Sequence, residues 1–168
     1  MKSQSGVGGD KFYLKTYKAF FLFHKMINNL EIRIKKLNPD AKIPTSSNEH
    51  AAGFDIYSCE DYELKPGETY AVKTGISMEI PSGKVCLIWD RSGMGFKGIH
   101  RFAGVIDSDY RGEFKIILFN STKQSYSIKK HDRIAQGIIQ DYYKPEFIEV
   151  EELEDSERGH NWNSSTGR

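Results

Sequence analysis

Two carboxylates, Asp107 and Asp109, stand two residues apart beside Tyr110 and Arg111 within the stretch Ala103 to Glu113. A positioned carboxylate can draw a proton from a reacting group. In an extended segment, period-two geometry puts the two acids on one side of the chain, with Ser108 and Tyr110 on the other, so that one acid can enter a pocket while Arg111 holds its neighbour. A second chemical stretch is Arg91-Ser92-Gly93, which sets a cation, a hydroxyl and a Cβ-free backbone in a row. That combination suits an anion, because glycine permits close approach and the first amides of a helical turn are free donors. Asp55, a lone acid after Gly53 among apolar residues, and Asp132-Arg133 with Gln136 complete the candidates. Each has a plainer alternative: a turn that needs only its Asp and Gly residues, an N-cap serine, a β-turn entering a strand, and a surface ion pair of little worth.

The elements that must position these groups read as strands. Phe102 to Ile106 and Phe114 to Phe119 are apolar runs that flank the two acids, which reads as a hairpin. Leu30, Ile32 and Ile34 alternate with charged residues, the pattern of a half-buried strand. Pro44 to Asn48 is loop, Lys65-Pro66-Gly67 a turn, Thr69 to Ile80 alternates again, and Pro81-Ser82-Gly83 turns the chain into the apolar strand Lys84 to Trp89. Gln124 to Ile128, Arg133 to Tyr142 and Phe147 to Leu153 offer further short strands. Only Ser92 to Phe96 invites a helical turn. Many short strands between turn signals predict an all-β barrel or jelly roll.

Composition narrows the function classes. The chain has 168 residues, the size of one domain, and 24 Lys plus Arg against 23 Asp plus Glu. A net charge of +1 gives no bulk field to hold nucleic acid or a membrane surface, so a polyanionic ligand must be met by local basic groups. Cys59 and Cys86 have neither metal-ligand spacing nor the density of a disulfide scaffold, which reads as reduced thiols in an intracellular compartment, cytoplasm or nucleus. Residues 1–25 differ in kind: Ser3 to Gly9 is Ser/Gly-rich, and the apolar run Ala19 to Phe23 is too short for a membrane span. They read as a flexible extension or an expression remnant, with a short amphipathic anchor or partner helix as the alternative. The main domain is expected over 26–153 and a polar arm over 154–168.

Ala51-Ala-Gly-Phe-Asp-Ile-Tyr-Ser58, Arg91-Ser-Gly93, Ala103 to Glu113, Asp132-Arg-Ile-Ala-Gln136, and Arg158-Gly159 followed by Ser165-Thr-Gly167 together resemble, in order and spacing, the five motifs of the homotrimeric dUTP pyrophosphatases (dUTPases). The resemblance runs from about Leu30 to Gly167. It implies a homotrimer of jelly-roll-like β-barrels that hydrolyses dUTP to dUMP and pyrophosphate with Mg²⁺, keeping uracil out of DNA and supplying dUMP for thymidylate synthesis. Within it Asp107 is the general base, and Tyr110 lies beneath the deoxyribose. Val105 and Ile106 read uracil through their backbones, with Lys115 beside them. Arg91, Ser92, Gly93, Gln136, Arg158, Ser165 and Thr166 take the phosphates, and Asp55 supports the metal through water. Mg²⁺ suits such a site because it keeps waters and binds chiefly through substrate phosphates.

Departures from the family pattern are equally legible. Asp90 replaces a frequent proline beside the phosphate motif, so it is expected to point away or to hold Arg91. Lys97 to Phe102 is one residue shorter than in many relatives, and His100 and Arg101 read as loop. In the arm, Asn161-Trp162-Asn163-Ser164 stands where the family has Gly-Gly-Phe-Gly, which makes Trp162 the candidate lid over the base. Two other readings share the fold: a dCTP deaminase-like enzyme, whose catalytic glutamate falls where this chain has Ile117, and a non-catalytic regulatory protein.

Overall fold

The computed structural model describes residues 30–159, so Trp162, Ser165 and Thr166, and the extension 1–25, lie outside the described residues. Eleven strands and one helical turn follow in order: β1 Arg33–Lys36, β2 Phe54–Tyr57, β3 Tyr62–Leu64, β4 Thr69–Val72, β5 Ile76–Glu79, β6 Lys84–Trp89, α1 Ser92–Gly95, β7 Ile99–Phe102, β8 Val105–Ile106, β9 Ile116–Asn120, β10 Tyr126–Ile128 and β11 Arg133–Asp141. Among the described residues the all-β expectation, with a single helical turn at Ser92, holds.

All pairings between these strands are antiparallel. They build a four-stranded sheet β2-β11-β6-β8, a three-stranded sheet β4-β9-β7, and the pairs β1-β5 and β10-β3. Alternation drives this arrangement. On β9, Ile116, Leu118 and Asn120 are buried while Ile117 and Phe119 are half-buried on the other face, as a period of two requires. Ile56, Leu64, Val72, Met78, Ile88, Phe114 and Ile134 close the core. Asn120 is fully buried and meets its whole hydrogen-bonding capacity. Its amide donates to the carbonyls of Leu64 and Gln124 at 2.9 and 2.8 Å, and its oxygen accepts from the backbone and hydroxyl of Thr122.

Three strand expectations are corrected. Thr69 to Ile80 is not one strand. Gly75 has φ +68°, and a Cβ there would lie 2.9 Å from both Ala41 Cβ and Cys59 Sγ, so the chain bends between β4 and β5, which join different sheets. Phe102 to Phe119 is not a hairpin either. Ala103 with φ +61° and Gly104 with φ +120° kink the chain out of β7, whose partner is β9, and send β8 to the edge of β6. Finally, Phe147 to Leu153 forms no strand. Phe147, Ile148 and Leu153 are 89%, 76% and 87% exposed, since among the described residues no strand pairs with them.

The outer face carries an ionisable cluster with a measurable consequence. Tyr62 and Tyr70 stack with centroids 3.5 Å apart. The Tyr62 hydroxyl donates to Glu68 at 2.5 Å, and the Lys65 N–H donates to the other oxygen of the same carboxylate. Those two bonds, Tyr62 first, hold the Glu68 carboxyl below its ordinary value, and the bond to Glu68 pushes Tyr62 up to about 12. A carboxyl whose pKa is depressed by folding stabilises the fold fully above its unfolded pKa, and that contribution is lost as pH falls through the folded value. Denaturation midpoints measured from pH ~6 down to ~3 should therefore fall less steeply in Glu68→Gln than in the parent chain. An identical acid limb in both would remove Glu68 from it.

Candidate functional site

Sheet register explains why distant motifs meet. In the four-stranded sheet Asp55 of β2 stands opposite Gln136 of β11, which in turn stands opposite Trp89 of β6. Two residues beyond Trp89 the chain reaches Arg91. Asp55, Arg91, Ser92, Arg133 and Gln136 consequently line one cleft of about 400 Å³, whose floor is Ala51 to Phe54.

Its electrostatics are those of an anion cradle. Arg91 Nε donates to Asp55 Oδ1 at 3.0 Å, and Arg133 NH1 donates to Oδ2 at 3.2 Å. The Asp55 side chain is only 15% exposed, so one partly buried carboxylate fixes two guanidiniums, while Arg91 also donates to the carbonyl of Arg133. Two cations on one acid leave a net positive cleft with oriented forks, the arrangement that suits phosphate oxygens. Next to them α1 begins. Its N-cap is Arg91 in an extended conformation, and no side chain caps the turn. The N-cap alternative for Ser92 is thus set aside, and its hydroxyl is exposed at the cleft. Gly93 opens on an adjoining cleft with Lys97 and Tyr126.

A second cavity, of about 420 Å³, lies between β8 and the paired strands β4 and β9. Val105, Ile106, Asp107 and Tyr110 form one wall, with Ala71, Lys115 and Ile117 facing them. Tyr110 donates through its hydroxyl to the carbonyl of Glu113 and tilts against Phe114, which locks the ring as a floor. Among the described residues nothing engages the Asp107 carboxylate. The segment turns tightly, with the Tyr110 N–H donating to the carbonyl of Asp107 at 3.2 Å, so the expected alternation fails: Asp107 lines the cavity and Asp109 does not. Arg111 does not hold an acid of this pair, since it donates to the carbonyls of Ser108 and Tyr110 and faces Glu79.

The structure brings Asp107, Val105, Ile106, Tyr110 and Lys115 together, and separately Asp55, Arg91, Ser92 and Gln136. The two cavities share no lining residue. Arg158 is exposed in a turn beyond the sheets.

Sequence reasoning missed two features. Arg133 was legible as one of a surface pair with Asp132, yet Asp132 caps the N–H of Lys129 while Arg133 binds Asp55. Gln136 is three positions on from Arg133, an odd offset, so strict alternation would set them on opposite faces. The bulge between Arg133 and Ala135 shifts parity by one and turns both into the cleft. The other is what holds Asp90, which points away from Arg91 as one of its two expected placements had it: its carboxylate accepts from the N–H of Arg101 at 2.8 Å and from His100 Nδ1 at 3.2 Å. His100 and Arg101 accordingly belong to β7 and not to a loop.

Among the described residues no cluster of three His, Cys, Asp or Glu side chains could hold a metal ion. The donors present fit an ion held mostly by other oxygens. A carboxylate has about four lone-pair sites, and Asp55 spends two on guanidiniums, which leaves capacity for a metal-bound water. Burial pushes both thiols up, Cys86 to about 12.

An antiparallel β fold thus carries an acidic, tyrosine-floored cavity and a guanidinium-lined cleft suited to an anion. The dUTPase family profile matches residues 39–167. The chain is 46% identical over 142 residues to the deoxyuridine 5'-triphosphate nucleotidohydrolase of Nautilia profundicola, covering 83% of this chain and all of that protein. It is 42% identical over 143 residues to the human mitochondrial protein of the same name, covering 84% of this chain and 57% of that one. Among solved structures, the Staphylococcus bacteriophage 80alpha dUTPase with dUPNHPP superposes with a TM-score of 0.78 at 31% identity, over 83% of this chain and all of that one. A dUTPase variant from phage phi11 of S. aureus, described with a structural Mg(II) ion, superposes at 0.70 and 28% identity, over 75% of this chain and all of that one. The chain belongs to the dUTPase family.

Proposed function

We propose that the protein hydrolyses dUTP to dUMP and pyrophosphate, with Asp107 as general base. The observation that carries the assignment of the base is the Asp107 carboxylate, unengaged among the described residues, at the wall of the cavity floored by Tyr110. There it can accept a proton from a water attacking the phosphorus next to the nucleoside. Val105 and Ile106 present backbone groups to uracil, Tyr110 leaves no room for a 2′-hydroxyl, and Lys115 adds positive charge at the opposite wall. Arg91, Ser92, Gly93 and Gln136 hold the triphosphate, with Arg133 joining them, and Arg158, Ser165, Thr166 and Trp162 close over it from the arm. Asp55, which fixes both arginines, would hold Mg²⁺ through water, and the ion when bound would supply charge neutralisation on the phosphates.

Half of this machinery lies in each cavity of a protomer, which supports a homotrimer with every site completed between subunits. The exposed apolar residues Phe147, Ile148 and Leu153 fit burial in such an assembly. Two buried, unpaired thiols fit a reducing intracellular compartment. The deaminase alternative is weakened by Ile117, because an aliphatic side chain in the cavity wall moves no proton.

Incubation with dUTP, dCTP, dTTP or UTP and Mg²⁺, followed by product analysis, tests the reading. dUMP and pyrophosphate should form from dUTP, with dTTP and UTP slower by about a hundredfold or more, since a clashing methyl or hydroxyl must be accommodated in a packed pocket. Deamination of dCTP, or no turnover of any of the four, would overturn it.

A further inference from the structure

Asp90 sits at a three-way junction beside the phosphate cleft. It directly follows β6 and precedes Arg91. Its carbonyl accepts from Gln136 Nε2 at 2.8 Å, so one cleft residue is tied to the backbone that carries another. Its carboxylate reaches across to β7: Oδ1 accepts the N–H of Arg101, and Oδ2 lies 3.2 Å from His100 Nδ1, which must be the donor because an ionised carboxylate only accepts. The Arg101 guanidinium completes the cluster. It lies over the Trp89 ring, 5.0 Å from the centroid, and donates to the carbonyl of Ala103. Its buried Nε has no hydrogen-bond partner and lies 3.7 Å from Asp90 Oδ1. The guanidinium therefore compensates the acid as a charge more than as a hydrogen-bonded pair.

Electrostatics alone would disfavour an acid here, one residue from a cation meant for phosphates. Arg101 and His100 resolve that conflict by drawing the charge away from the cleft. We infer that Asp90 is a positioning residue: it locks the turn Arg91–Gly93 to β7 through its carboxylate and to Gln136 through its carbonyl, so that the Arg91 fork and the Ser92 hydroxyl are held ready for the triphosphate. The inference rests on the assignment of that cleft to phosphate.

Two opposite consequences separate this role from a simple charge effect. Were Asp90 only a repulsive charge, its removal would tighten anion binding. As a tether, its removal loosens the turn and weakens binding. The test uses the full chain and Asp90→Ala, with Asp90→Asn as the variant that keeps one acceptor oxygen and carries the test if the alanine variant fails to fold. Calorimetry with tripolyphosphate reads the cleft whether or not dUTP is turned over, competition by deoxyuridine reads the other cavity, and melting temperature reads the fold. In Asp90→Ala the tripolyphosphate affinity should fall about tenfold or more and KM for dUTP should rise by a similar factor, with Asp90→Asn between it and the parent and deoxyuridine binding unchanged. Tripolyphosphate affinity that is unchanged or tighter overturns the inference, as does an equal loss for deoxyuridine accompanied by a lower melting temperature. A parent chain that binds tripolyphosphate but leaves dUTP intact would instead sink the hydrolase reading, with Asp90 still judged by its effect on the anion.

Discussion

Asp107→Asn should lower dUTP turnover by about a hundredfold or more while nucleotide still binds. The amide matches the carboxylate in shape and cannot accept the proton of the attacking water. Asp107 is exposed at the end of β8 and its carboxylate bonds to nothing among the described residues, so the substitution removes no structural contact and stability should stay within about 0.5 kcal/mol. Steady-state kinetics gives the rate, and calorimetry with a non-hydrolysable dUTP analogue gives the affinity. Loss of both together would make Asp107 a binding residue, and an unchanged rate would take the base away from it altogether.

A larger effect is expected from mixing two dead proteins. Asp107→Asn spoils the cavity walled by β8, and Arg91→Ala spoils the anion cleft, so each variant alone should be inactive. In a cyclic trimer whose sites each take one cavity from each of two neighbouring chains, equal mixing leaves roughly a quarter of the sites with both halves intact. Activity should therefore rise from near zero to about a quarter of the parent value once subunits exchange, for example after co-refolding. If each protomer held a whole site, every site in the mixture would carry one lesion and nothing would be recovered. Light scattering on the same samples reports the trimer independently.

Much of this was readable beforehand, for a definable reason. Asp107, Arg91 and Asp55 are chemical groups whose type is visible in the sequence, and the apolar alternation of β6, β9 and β11 places them at strand ends and edges. What escaped were features that depend on parity and on long-range pairing. The bulge before Ala135 turned Arg133 into the cleft, and the kink at Ala103 and Gly104 undid a hairpin that local composition favoured. Gly75 likewise split one alternating run into two strands. Asp90 was legible as an oddity, but its partners come from a strand ten residues on that local composition read as loop. The arm residues Trp162, Ser165 and Thr166 rest on motif resemblance alone.

The kink at Gly104 has a further meaning. A Cβ at that position would lie 2.9 Å from the carbonyl oxygen of Ile88 and 3.0 Å from its Cβ, and φ is +120°, a conformation open in practice to glycine alone. Here the chain leaves one sheet and is pressed against the neighbouring strand, three residues before Asp107. The position of Asp107 is thus written by a missing side chain: the backbone of Ile88 serves as a template, and Gly104 is the blank that lets the next strand lie flush on it.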